Sequence, residues 1–319
     1  MPEEEVTAYT PVRVSRSLRV DLRGVDTHVL SWGDPNARKL FLLHGWMDVA
    51  ASFQFLVDAL ADEFHVIAPD LRGFGRTAWQ RQGYWFADYV ADLEALVERF
   101  APGERVRLCG HSLGANVVMH YAGVRPERVE AVIALDGFGI PGEPAERAPQ
   151  KLAAWLDSIA DPPSFAPYAS FEAVAERLRK NDPRLRAEKA AYLARQWAAR
   201  SDDGRVRLTS DPRHKQPFPA VYRLEETFAV WRRIEARTLW VAAEDSHIAA
   251  WLDRSDADAT DAGADHDPRD AKDADRLRGV RKRMSRIRDA RLVTIADAGH
   301  MLHHDQPEAV ARAIEAFLA

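Results

Sequence analysis

Three short stretches of the chain bring together residue types that do chemistry. Gly110-His111-Ser112-Leu113-Gly114 reads G-x-S-x-G, with an apolar run before it and a helical pattern after it. A serine held out of a sharp strand-to-helix turn is open both to a base and to a substrate carbonyl, and the flanking glycines leave room for that turn. The helix start adds backbone N–H groups and the positive end of a dipole, which suit a developing oxyanion. His44-Gly45-Trp46 follows the apolar run at 39–43. There the Trp46 N–H is placed to complete, with the Leu113 N–H, a pair of oxyanion donors, and the indole would wall the pocket. Ala298-Gly299-His300 follows another apolar run and delivers an imidazole, as a general base for the serine requires. His303 and His304 are rivals. His300 is favoured because the preceding glycine frees its loop and the other two lie nearer the last helix. Asp305-Gln306-Pro307-Glu308 leads into that helix, so no metal site is expected from these histidines.

The elements that must position these residues are legible as a rhythm. Residues 12–20 alternate as an edge strand does, and 26–32 can pair with them through a turn at Gly24. Further strands are expected at 39–43, 64–68, 106–109 and 129–135. They are separated by helical spacing over 53–61, 88–100 and 114–122. Strand and helix in alternation predict a mostly parallel sheet covered on both faces. The rhythm breaks after Asp136. Residues 141–233 hold amphipathic patches at 151–159, 171–178 and 187–197 and no clear strand, which reads as a helical insertion. Its Trp155, Trp197 and Trp231 either line an apolar pocket or form the insertion's own core. Strands return at 237–243 and 290–296, and a helix from Pro307 to Leu318 closes the chain with proline in its first turn. Residues 253–275 carry nine aspartates in 23 positions, and 276–288 carry seven Lys/Arg in 13. That is the pattern of a disordered acidic loop followed by a solvated basic helix. Its spacing is wrong for a calcium loop, because the sixth and twelfth positions from Asp256 are Asp261 and Asp267.

The bulk properties narrow the classes. With 319 residues, 46% hydrophobic and 29% charged, the chain can build one large core with a smaller appended unit. Its composition excludes collagen-like, wholly disordered and disulfide-scaffold proteins. A formal charge of −5 argues against nucleic acid as a partner. The single Cys109 excludes an internal disulfide and a multi-cysteine metal site, and its place before the serine turn suits a packed core residue. The acidic start lacks the apolar stretch of a secretory leader, and no run approaches the ~20 apolar residues of a membrane span. A soluble, cytoplasmic protein is expected.

Taken in order, the chain resembles the α/β-hydrolase superfamily over almost its whole length. The matching pieces are HGW at 44–46, PDLRGFGRT at 69–77, GHSLG at 110–114 and AGHMLHHDQPE at 298–308. The resemblance implies the α/β-hydrolase fold, a mostly parallel eight-stranded sheet with helices on both faces. Residues 1–140 and 234–319 would form the core and 141–233 a helical cap. It implies Ser112 as nucleophile, His300 as base, and the N–H groups of Trp46 and Leu113 as oxyanion hole, with no cofactor and no metal. The loop at 70–75 would be structural. In that family the acid usually follows the seventh strand in a pattern like G-x-x-D. With Ala243 at the glycine position, the acid position falls on Ser246, a departure from the pattern. Asp245, one residue earlier, is the favoured acid and Glu244 its neighbouring alternative. Asp136, just past the sixth strand, is a second route, since some members take their acid from there. The implied activity is hydrolysis of a small-molecule carboxylic ester, thioester or lactone through an acyl-enzyme on Ser112. Other uses of the same triad are an acyltransferase, a cofactor-free lyase or a perhydrolase. A member of a different kind would be an inactive binding or scaffold protein. Serine as nucleophile argues against the haloalkane dehalogenase and soluble epoxide hydrolase branches, which carry aspartate there.

Overall fold

The computed structural model of the chain describes residues 7–258 and 277–319. In chain order its strands are β1 (Arg16–Leu22), β2 (Val25–Trp32), β3 (Arg38–Leu43), β4 (Phe64–Pro69), β5 (Val106–His111), β6 (Val129–Leu135), the short β7 (Ala198–Arg200) and β8 (Val206–Leu208), then β9 (Arg237–Ala243) and β10 (Ala290–Ile295). All but β7 and β8 form one eight-stranded sheet in the order β1-β2-β4-β3-β5-β6-β9-β10. β2 runs antiparallel to β1 and β4, and every other pair is parallel. The mostly parallel sheet read from the rhythm is observed, with the eight strands that the resemblance implies. β1 starts later than the alternation at 12–20 predicts. The reason is a competing partner: the Val12 and Arg13 N–H groups donate to the Asp58 carboxylate, and Val12 and Val14 stay exposed.

The unbroken apolar runs become strands covered on both faces, where successive side chains point to opposite sides. Phe41 and Leu43 of β3 enter one core cluster with Leu93, Val117 and Trp240. Leu40 and Leu42 enter the other with Phe53, Val57 and Ile314. Helix α1 (Gln54–Ala59) and the closing helix Pro307–Leu318 cover the second face, and α2 (Phe86–Phe100) and α3 (Leu113–Val124) the first. Each fully buried Leu or Phe contributes about 1.5–3 kcal/mol of hydrophobic stabilisation. The sheet is therefore a firm platform, and its carboxyl edge is where parallel strands deliver loops to a ligand.

Between β6 and β9 lie α4 (Ala148–Ala160), α5 (Phe171–Asn181), α6 (Ala187–Trp197), the β7–β8 hairpin and α7 (Leu224–Trp231). The hairpin corrects the expectation of an all-helical insertion. Strands of three residues are too short to leave an alternation in sequence. Helices α5 and α6 pack on their own cluster, with Val174, Leu178, Leu193 and Val206. Trp197 packs there and against the sheet's second cluster. Trp231 belongs instead to the main core, fully buried, its ring 5.5 Å from that of Trp240. The acidic stretch starts inside a helix, since α8 spans His247–Asp258; residues 259–276 lie outside the described residues, and with them most of the expected acidic loop. The basic stretch forms a helix, Arg278–Met284, that is not wholly solvated. Arg283 is fully buried, and its guanidinium donates to the Phe138 and Ile140 carbonyls, where the chain leaves β6.

Candidate active site

Ser112 sits between the end of β5 and the start of α3 with φ at +51°, a conformation that an L-residue rarely adopts. Such strain persists only where the surroundings over-determine it. Here the Ser112 N–H donates to Leu135 O on β6 (2.9 Å) and its carbonyl accepts from Asn116 N–H (3.1 Å). The two glycines of the motif are steric necessities. A Cβ on Gly114 would overlap the Leu43 carbonyl, and one on Gly110 the backbone of Gly114. The turn is thus wedged between β3 and α3, and the Ser112 side chain stands clear of both.

His300 comes to the serine from the loop after β10. Its Nε2 lies 3.1 Å from Ser112 Oγ, and its Nδ1 lies 2.7 Å from Asp136 Oδ2. Asp136 is fully buried and follows β6 directly, again with positive φ (+45°). Its N–H donates to Val241 O (2.8 Å), its Oδ1 accepts from Ala243 N–H (3.2 Å), and its Oδ2 also accepts from Ser246 Oγ (2.7 Å). With Nδ1–H donating to a carboxylate, the Nε2 lone pair faces the serine hydroxyl. A chain of this kind can take the serine proton as the oxygen attacks.

The favoured acid of the sequence is therefore not the one that meets the histidine. Asp245 forms an ion pair with Arg184, which arrives from the α5–α6 connection, and its side chain is 47% exposed. Glu244 turns away too, accepting the Asp297 N–H at 2.9 Å. The structure places Asp136 on His300, the second route through the end of β6. Ser246, at the position the family pattern reserves for the acid, keeps a role by hydrogen-bonding Asp136. The sequence signal that could have found this pair is the hydroxyl at 246 beside an aspartate directly after β6.

Two further histidines hold the loops. His111 Nε2–H donates to the His300 carbonyl at 2.8 Å. Burial, then the nearby His303 and His300 charges, push its protonation well below the usual histidine range. His44 Nδ1–H donates to Gly45 O (2.7 Å) while its Nε2 accepts the Leu71 N–H (2.9 Å), and burial keeps it neutral. This pins the His44-Gly45-Trp46 turn to the loop after β4. A Cβ on Gly45 would lie 3.3 Å from Ser112 Cβ, so the turn passes directly beside the serine. The Leu113 N–H, first of α3, has no acceptor within its own helix. The loop at 70–75 is structural: Asp70 accepts from His28 Nδ1, Ala50 N–H and Arg76 N–H, each at 2.8 Å.

His303 and His304 do not reach the serine. They are buried behind it and gather with Asp48, their ligand-type atoms lying within 4.8 Å of one another. Among the described residues this is the one group arranged as a metal site would be. Burial pushes His304 down to about 3 and the Asp48 carboxyl up to about 7, and Lys189 Nζ donates to the His304 carbonyl at 2.6 Å. An ammonium this close disfavours a second cation.

A cavity of about 1370 Å³ opens beside the serine turn, between α4 and the sheet's carboxyl edge. Trp46 and Leu113 line it together with Trp85, Trp155, Phe218 and Trp251. It exceeds the ~300–1,000 Å³ of ordinary small-molecule pockets. Cys109 is fully buried, and burial pushes its thiol up, as for a packed core residue.

Fold and site define the class. A family model described as the alpha/beta hydrolase fold matches residues 39–307, and the chain belongs to that family. It is 28% identical over 247 residues to a serine hydrolase-like protein of Danio rerio, covering 75% of each chain. It is 35% identical over 133 residues to epoxide hydrolase A of Mycobacterium tuberculosis, which covers 41% of this chain and 40% of that protein. It is 33% identical over 159 residues to lipase LipV of the same organism, covering 44% and 59%. A thioesterase domain from the curacin biosynthetic pathway shares the fold, with a TM-score of 0.76 at 22% identity over 95% of this chain and 99% of that one. No helix among the described residues is long and apolar enough to cross a membrane.

Proposed function

We propose that the protein is a serine hydrolase that cleaves a carboxylic ester, thioester or lactone through an acyl-enzyme on Ser112. The observation that carries this reading is the unbroken hydrogen-bonded chain Ser112–His300–Asp136 beside the large aromatic cavity. Ser112 Oγ attacks the acyl carbon while His300 Nε2 takes its proton. The oxyanion is held by the Leu113 and Trp46 N–H groups, each such donor contributing about 3–4 kcal/mol. His300 returns the proton to the departing alcohol or thiol. Water then attacks the acyl-enzyme, giving up its proton to His300, which passes it to Ser112 Oγ as the acid leaves. Asp136 stays ionised throughout and holds the imidazole in the required tautomer.

The relatives' names span epoxide, lipid and unspecified substrates, and Ser112 speaks for acyl transfer among them. Aspartate, not serine, would be needed to form an alkyl-enzyme ester with an epoxide. A scaffold role has no use for a strained serine with a base and an acid in register. The single, buried Cys109 agrees with a reducing, cytoplasmic setting. The test is hydrolysis of p-nitrophenyl esters from acetate to decanoate by the wild type and Ser112→Ala, with fluorophosphonate labelling of Ser112. Turnover and label lost together in the variant are the expected result. A folded wild type that shows neither would refute the reading. Added alcohols that divert the acyl group would mark an acyltransferase instead.

A further inference from the structure

Asp136 Oδ2 accepts two hydrogen bonds of equal length, one from His300 Nδ1 and one from Ser246 Oγ, both 2.7 Å. The three-residue relay makes no use of the second. Ser246 is buried, at 6% exposure, in the turn between β9 and α8. Its rotor is fixed: Oγ accepts the Ala249 N–H at 3.1 Å, so its own proton is committed to Asp136. The end of β9, just before that turn, supplies the Ala243 N–H to Asp136 Oδ1. Both oxygens of the carboxylate are thus tied to β9 and its following turn, which sets the plane of the carboxylate facing the imidazole.

We propose that Ser246 is a positioning residue of the relay, holding the Asp136 carboxylate in line with His300 Nδ1–H and sharing its negative charge. The inference rests on the serine-hydrolase reading. A carboxylate oxygen that satisfies a neutral donor pulls less on an imidazolium. Removing the Ser246 hydroxyl leaves that oxygen to His300 alone. Protonated His300 is then stabilised, and the acid limb of the pH–rate profile moves up. At the same time the carboxylate plane is freed, so kcat falls. KM, set by the cavity, stays. Among the described residues the titratable groups facing His300 are Asp136 after β6, His303 after the His300 loop, His111 on β5 and His247 on α8, the rings of the last two 4.8 Å from its own. Burial pushes His111, His247 and His303 down, so none supplies a charge that would mask the change.

Two variants test this in the full-length protein. Ser246→Gly removes the hydroxyl while costing the α8 start little, because glycine is tolerated at a helix cap. Ser246→Thr keeps it. With a p-nitrophenyl ester, Ser246→Gly is expected to lose about three- to tenfold in kcat, with KM within about twofold. Its acid limb should rise by at least about 0.3 pH unit. Ser246→Thr should restore both. Should the glycine variant unfold, the near-isosteric Ser246→Cys, a weak donor, takes its place with the same signs. The His300 Nδ1 proton, followed by proton NMR, reads the contact without turnover, and its titration midpoint should rise in the Gly and Cys variants. A kcat loss with an unmoved limb and an unmoved midpoint would overturn the proposal and leave a packing role. Absence of Ser112-dependent turnover in the wild type would instead overturn the hydrolase reading, with the NMR midpoint still judging Ser246.

Discussion

Replacing Asp136 by asparagine should nearly abolish turnover while leaving the fold intact. The structure says how. Ala243 N–H needs an acceptor at the Oδ1 position, so the carboxamide oxygen settles there and its NH2 falls at the Oδ2 position. That NH2 faces His300 Nδ1 as a donor, and the Ser246 hydroxyl, which donates to Oδ2 in the wild type, must turn its proton away. The imidazole must answer by moving its proton to Nε2, where it points at Ser112 Oγ and can no longer accept the serine proton. Loss of the working tautomer in such a relay costs about 10⁴ in kcat, or about 5.4 kcal/mol at 1.36 kcal/mol per decade. Asp245→Asn is the matched control. It removes an exposed ion pair to Arg184, worth about 0–1 kcal/mol, and should leave kcat within about threefold. The assay is steady-state hydrolysis of a p-nitrophenyl ester, with circular dichroism confirming that each variant is folded. A folded Asp136→Asn within tenfold of wild type, with Asp245→Asn down a hundredfold, would refute the reasoning.

Other expectations follow from single contacts. Gly114→Ala should lower stability by at least about 2 kcal/mol and depress kcat together, because the added methyl meets the Leu43 carbonyl and must move the serine turn; an unchanged melting temperature would contradict this. Trp155→Ala should cut kcat/KM for an octanoate ester about tenfold more than for acetate if the acyl chain lies along the cavity, a ratio read from the ester series. Burial pushes the Asp48 carboxyl up to about 7, so the folded protein holds that proton more tightly than the unfolded chain does. Its contribution is full below about pH 4 and is lost as pH rises through about 7. Asp48→Asn should therefore gain stability relative to wild type between those values, by a few kcal/mol at most. Urea midpoints that run parallel for the two proteins across that range would rule this out.

Much of this protein is written locally. The apolar runs at 40–43 and 131–135 bury every consecutive side chain, as short strands covered on both faces do. The serine turn is recognisable because Gly110 answers a clash within the turn itself, while Gly114 answers one with the Leu43 carbonyl of β3. His300 is legible for the same reason, a glycine-freed loop directly after a strand. Tertiary structure alone decided the partner of His300. Asp245 and Asp136 follow adjacent strands, and nothing near either in sequence says which way its carboxylate turns. Asp136 turns inward because its positive φ and the Val241, Ala243 and Ser246 contacts fix it, the contacts coming from β9 and the turn after it, about a hundred residues away. Asp245 turns outward because Arg184, from the insertion, offers it a cation. Trp231 went to the main core on the same principle, since Trp240 and Phe228 were there to meet it. Periodicity reports which face of an element is buried; the choice among carboxylates within reach of one imidazole depends on contacts that exist only once the strands lie side by side.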